Sequence, residues 1–242
     1  MSWYKVVLLS GAAAFVSSAA LAAEFQNIPL RASDVAGFHG VKAPAHQQVA
    51  GKPAGAPKCG TGFGAEMHTP DGLISWNDTT GSGYNTGGAA DFTCGGSAKT
   101  KIKQVWVYGW DLAFVNPDQF NVTFYQNDPA GGSDEANDAR IVCAYTGLLG
   151  ATGGGYAPPT LTQLTLPTKC KLKAGKKHWV EVQNNNADGP WYWEMSSTLQ
   201  GTQGDWVDRH RAFGNFCTTF DNDEYLVDCL GYTYPDYMLE LH

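Results

Sequence analysis

The strongest constraint on this chain is side-chain alternation with a period of two. From Phe120 to Tyr125 the order FNVTFY sets Phe120, Val122 and Phe124 on one face and Asn121, Thr123 and Tyr125 on the other. Only an extended strand turns such a pattern into one apolar face, because successive side chains of a strand point to opposite sides. The pattern recurs. Ile102 to Trp110 (IKQVWVYGW) puts Val105 and Val107 on one face and Trp106, Tyr108 and Trp110 on the other, which predicts a strand covered on both sides. Further strands are expected at Leu73–Trp76, Arg140–Tyr145, Leu161–Leu166 (ended by Pro167), His178–Val182 after a turn at Ala174-Gly175-Lys176, Trp191–Met195 and Tyr237–Leu241. No window carries apolar residues at helical spacing over three turns. Gly, Asn, Asp and Pro clusters separate the runs. The expected class is all-β: an antiparallel, jelly-roll-like β-sandwich over residues 59–242.

The first residues point to export. Lys5, the apolar run Val6–Val16 and the small residues of Ala20-Leu21-Ala22 follow the order of a secretory signal peptide, predicted over residues 1–22. The run is too short for a membrane span, and no later stretch is apolar enough to cross a bilayer. Residues 23–58 read as a flexible tail or linker. Their second half, Val41–Lys58, is Ala, Pro, Gly, Gln and Lys and holds too little apolar surface to offset chain ordering.

All six cysteines, Cys59, Cys94, Cys143, Cys170, Cys217 and Cys229, follow the signal. An even count in an exported chain predicts disulfides. Fifteen pairings are possible; pairing in sequence order is the expectation, since Cys143 and Cys170 fall in consecutive strands and Cys217 and Cys229 flank a short loop. Each closure would stabilise by roughly 3 kcal/mol on a chain-entropy argument. No Cys-x-x-Cys spacing suggests zinc.

The formal net charge is −7, and loss of Lys5 with the signal makes it −8. An acidic total argues against nucleic acid and anionic lipid as partners, because both need a basic footprint. The segments FNVTFYQND, IVCAYTGL, LKAGKKHWVEVQ and WYWE, in that order, resemble β-sandwich modules of secreted bacterial proteins over residues 73–242. That resemblance implies a fold and an accessory or binding role, and no reactive group.

Reactive motifs are absent. There is no G-x-S-x-G elbow and no H-E-x-x-H. His178 reads as a half-exposed strand residue, and Glu181, Glu194 and Glu240 as outward, solvated strand positions. Two acidic loops could offer calcium the hard oxygens it needs: Asp128, Asp134 and Asp138 in the first, Asp221, Asp223 and Glu224 in the second. Eight Trp and eleven Tyr are more than a core of this size requires. Trp191 and Trp193, one of them expected in the core, together with Trp206, Tyr232 and Tyr234, are the candidate ligand-binding rings. Three functions follow in order: a non-catalytic exported module that binds carbohydrate or a cell-surface partner through aromatics; a structural or assembly protein of the envelope or of an extracellular appendage; and a hydrolase using Glu181, Glu194 or the acidic loops.

Overall fold

Phe120, Val122 and Phe124 are each 0 % exposed, as their alternation requires. They lie in a computed structural model that describes residues 56–59, 68–79, 83–96, 98–111, 119–128, 135–151, 160–186, 190–198, 204–210, 220 and 236–242. The expected signal at 1–22 and nearly all of the tail fall outside these residues. The strands are β1 (His68–Ile74), β2 (Trp76–Asp78), β3 (Thr86–Thr93), β4 (Lys99–Asp111), β5 (Gln119–Asp128), β6 (Glu135–Ala151), β7 (Thr160–Lys173), β8 (Lys177–Asn186), β9 (Trp191–Ser196), β10 (Asp205–Asp208), β11 (Asp236–Tyr237) and β12 (Leu239–Leu241). No helix occurs among the described residues.

The strands form one hydrogen-bonded path, β1-β9-β4-β7-β6-β5-β8-β3-β10, with β11 on β9, β12 on β4 and β2 on β8. Every pairing is antiparallel except β2–β8. The expected all-β class holds. In place of two separate layers, a single sheet curls, and the long strand β6 joins its halves. β6 pairs β5 along most of its length and β7 through Gly150 and Ala151. One core cluster takes side chains from both halves: Val105, Val107, Leu164 and Trp193 from one, Phe92, Phe124, Val180 and Val182 from the other. Fully burying a side chain of this size contributes roughly 1.5–3 kcal/mol relative to leaving it exposed.

Three local features depart from the expected strands. Leu73–Trp76 is two strands, because Ser75 breaks the run. The Ser75 hydroxyl donates to the Val182 carbonyl at 2.6 Å and accepts from the Gly88 N–H at 3.0 Å, so the chain crosses there from β9 to β8. Pro167 does not end β7. The β4–β7 register shifts between Ile102 and Gln104, and this irregularity accommodates a residue without an N–H; Lys103 Nζ donates to the Leu166 and Pro167 carbonyls. The third departure is an outer layer. Tyr125, expected to face outward, is 4 % exposed and packs with Ala89, Trp179, Val207 and Phe220 in a second apolar cluster.

Two disulfides follow the expected pairing, Cys59–Cys94 and Cys143–Cys170. Cys217 and Cys229 lie outside the described residues. Disulfides belong to an oxidising compartment. Among the described residues, no helix is long and apolar enough to cross a membrane.

Candidate functional site

The rings expected at a binding surface are structural where they are described. Trp191 and Trp193 are 2 % and 0 % exposed, so both are core residues. Trp206, expected to be exposed, is 0 % exposed, and its indole N–H donates to the Ile74 carbonyl at 2.8 Å. Its strand, β10, pairs β3 and turns the ring into the interior. Tyr232 and Tyr234 lie outside the described residues.

The strand carboxylates are also corrected. Glu181, Glu194 and Glu240 are buried rather than solvated. Glu181 is held by the outer layer. Arg209 donates to it twice, at 2.7 and 3.1 Å, and the Tyr125 hydroxyl donates at 2.6 Å. Asp138 lies 3.8 Å from Arg209, whose guanidinium sits 5.3 Å from the Phe220 ring centre. Burial first, and then Glu181, push the Tyr125 phenol far above its usual range, so it stays a donor. Burial works against the Arg209 charge, but Glu181, Tyr125 and Asp138 together outweigh it and hold the cation. Burial, then Glu194 and Glu240, raise the Tyr108 phenol as well. A carboxylate engaged three times by permanent donors is poorly suited to moving protons. This cluster is a brace.

The first acidic loop is engaged in protein contacts. Asp128 accepts from the Asn137 side-chain amide, and Asp138 from the Phe220 backbone N–H at 3.1 Å. Among the described residues no three His, Cys, Asp or Glu side chains are placed to share a metal ion. Asp134, Asp221, Asp223 and Glu224 fall outside the described residues.

The structure brings together a different set. β4 begins Lys99-Thr100-Lys101-Ile102-Lys103, and β7 ends Lys169-Cys170-Lys171-Leu172-Lys173. Alternation buries Ile102, Cys170 and Leu172 and leaves Lys99, Lys101, Lys169, Lys171 and Lys173 exposed. The antiparallel register sets Lys99 opposite Lys173 and Lys101 opposite Lys171. Like charges directly opposite one another destabilise a sheet. Lys176 follows in the β7–β8 turn and Lys177 opens β8; in the turn Gly175 takes a φ of 66°, a left-handed conformation glycine adopts without strain. The residues from Ala98 to Lys103 and from Thr168 to His178 include eight lysines and no acid.

Five of these lysines, Lys99, Lys171, Lys173, Lys176 and Lys177, line a groove of about 450 Å³, with Gln126, Asn127, Val142 and His178 in the same wall. Both disulfides brace it. Cys143–Cys170 ties β6 to β7, and the Gly175 N–H donates to the Cys94 carbonyl at 2.8 Å, pinning the turn beside Cys59–Cys94. Among the described residues an acid offsets Lys177, which lies 3.4 Å from Asp91.

His178, expected half-exposed, is 4 % exposed, its ring 6.0 Å from Phe92 and its Nε2 3.3 Å from the Lys173 carbonyl. Burial is the main cause of its lowered pKa. The Lys173 charge adds to the lowering, and backbone acceptors at Lys173 and Tyr125 act the other way. The folded protein therefore binds this proton less readily than the unfolded chain, whose histidine titrates near 6.5. Stability from His178 is complete above that pH and declines as pH falls from 6.5 toward the lowered value. Thermal melts at descending pH should show a smaller loss below pH 6.5 in His178→Gln than in the native chain; equal losses would remove His178 from this account.

Sequence reasoning missed this site because it used the net charge. The available signal was lysine at alternate positions in two segments free of acid. No protein-family model matches the chain, and no curated protein or solved structure matches it either.

Proposed function

We propose that this chain is an exported, non-catalytic binding protein that holds an anionic ligand on the lysine-lined groove. The observation that carries the reading is the pair of like-charged cross-strand contacts, Lys99 with Lys173 and Lys101 with Lys171, on an exposed and disulfide-braced face. A chain with net charge −7 sets two pairs of lysines directly opposite one another, against the preference of the sheet itself. A placement that costs stability is a common mark of function. A carbohydrate or surface partner remains the ligand class in view, with ammonium groups in the role first assigned to indole and phenol rings. Export is supported by the N-terminal residues and agrees with the disulfides.

The reading has a direct test. At pH 7 the protein as a whole is repelled by a sulfated cation-exchange matrix, so retention at low salt requires a local basic patch. The native chain should be retained. The variant Lys99→Thr, Lys101→Thr, Lys171→Thr, Lys173→Thr should flow through, with a melting temperature unchanged or raised because the repulsion is gone. Passage of the native chain, or equal retention of both, would refute the assignment.

A further inference from the structure

We infer that the ligand of this groove is an acidic polysaccharide, bound as an extended chain across β4 and β7. This rests on the anion-binding reading above and adds a ligand class to it.

The spacing of the charges is the first argument. Alternate residues of a strand lie about 7 Å apart, and neighbouring strands about 5 Å apart. Lys99 and Lys101 on one strand, and Lys169, Lys171 and Lys173 on the next, thus form two rows, in which Lys99, Lys171 and Lys173 line the groove and Lys101 and Lys169 continue the exposed face beyond it. The longer row spans roughly 13 Å before Lys176 of the turn and Lys177 at the start of β8 add to it. A single carboxylate or phosphate reaches one or two of these ammonium groups and leaves the others repelling. A chain with a negative charge on successive units meets several at once, and each later contact forms at high effective concentration.

The identity of the cations is the second argument. Among the described residues no arginine lines the groove. Arginine suits fixed bidentate recognition of one anion, whereas the lysine ammonium is a compact charge on a flexible stem that tolerates varied geometry. Such a surface fits a polymer held by the sum of many contacts.

The remaining wall selects among polymers. Exposed Gln126 offers an amide for hydroxyl groups, and Val142 is the one aliphatic side chain among the described lining residues. Among those residues there is no Phe, Tyr or Trp ring, so single-stranded nucleic acid would lack on them the stacking platforms that carry much of its affinity. A bilayer surface would meet the rim alone. A sugar chain with carboxylate or sulfate groups satisfies both the charges and the amide.

Isothermal titration of the mature protein at fixed salt tests this with galacturonate, its dimer, its tetramer and its hexamer. Single-stranded DNA of matched charge and phosphatidylglycerol vesicles are the comparison probes. Affinity should rise at least about tenfold from dimer to hexamer and become more salt-dependent with length. The variant Lys171→Thr, Lys173→Thr should bind the hexamer about tenfold more weakly. If the monomer binds as tightly as the hexamer, the extended-chain inference fails and the anion-binding reading stands. Tighter binding of DNA or vesicles than of the hexamer would overturn the ligand class. If no anion binds, both the inference and the reading fail.

Discussion

Replacing Trp193 with alanine is expected to destabilise the fold by about 3–5 kcal/mol, the range for deleting a large buried ring. Trp193 is 0 % exposed and stacks on Tyr237 with ring centres 4.5 Å apart. Its indole N–H donates to the Met238 carbonyl at 2.9 Å. Alanine would leave a cavity between the two halves of the curled sheet and withdraw the donor from that carbonyl. Urea unfolding measures the loss. Anionic-matrix retention of the protein that remains folded should match the native chain, because the ring lies away from the groove lysines. A change under about 1 kcal/mol together with lost retention would return Trp193 to a binding role.

The second large effect is expected at Glu181. Glu181→Gln leaves the Arg209 guanidinium without its bidentate carboxylate, with Asp138 at 3.8 Å as the nearby acid. It also weakens the bond from the Tyr125 hydroxyl. Removing one partner of a fully buried pair costs about 3–5 kcal/mol, because the surviving charge is stranded. The Arg209 side chain is 25 % exposed and keeps Asp138 beside it, so the expected loss is about 1.5–3 kcal/mol. Most of that cost is therefore the stranded charge, not the worth of the contact. The double variant Glu181→Gln, Arg209→Met should regain roughly half of the loss. Denaturant curves of the native, single and double variants give the coupling directly. Strict additivity would show that Arg209 and Glu181 stabilise independently, contrary to their geometry.

The legible parts of the fold were those where alternation met a single buried face. β5, β8 and the middle of β4 followed from FNVTFY, HWVEV and IKQVWVYGW because their branched and aromatic residues recur at every second position. β3 (TGGAADFT) was not legible. It has few branched or aromatic residues, and its glycines answer to neighbours distant in sequence. A β-carbon on Gly87 would fall 2.0 Å from the Glu181 carboxylate, and one on Gly88 would fall 2.7 Å from the Tyr237 ring. Tyr125 and Glu181 were misplaced for a related reason. A period of two says which residues share a face but not whether that face is wet, and here the outer face carries a layer of its own.

The groove was half legible. Alternate lysines in two strands foretell a basic face on each, but the pairing of Lys99 with Lys173 and Lys101 with Lys171 depends on register, which local composition does not encode. Of the rings singled out for binding, Trp191, Trp193 and Trp206 failed on accessibility. These large aromatic side chains fill the core between the two halves of the curled sheet.

Closure of the sheet depends on the end of the chain. β12 pairs β4, Leu241 bridges Cys59, and the Lys58 N–H donates to the Leu241 carbonyl at 2.8 Å. A nascent polypeptide halted before residue 241 has no means of completing either the β4 edge or the clasp at Cys59. Such distant pairings form slowly, because the loop between them must close before the contacts reward it.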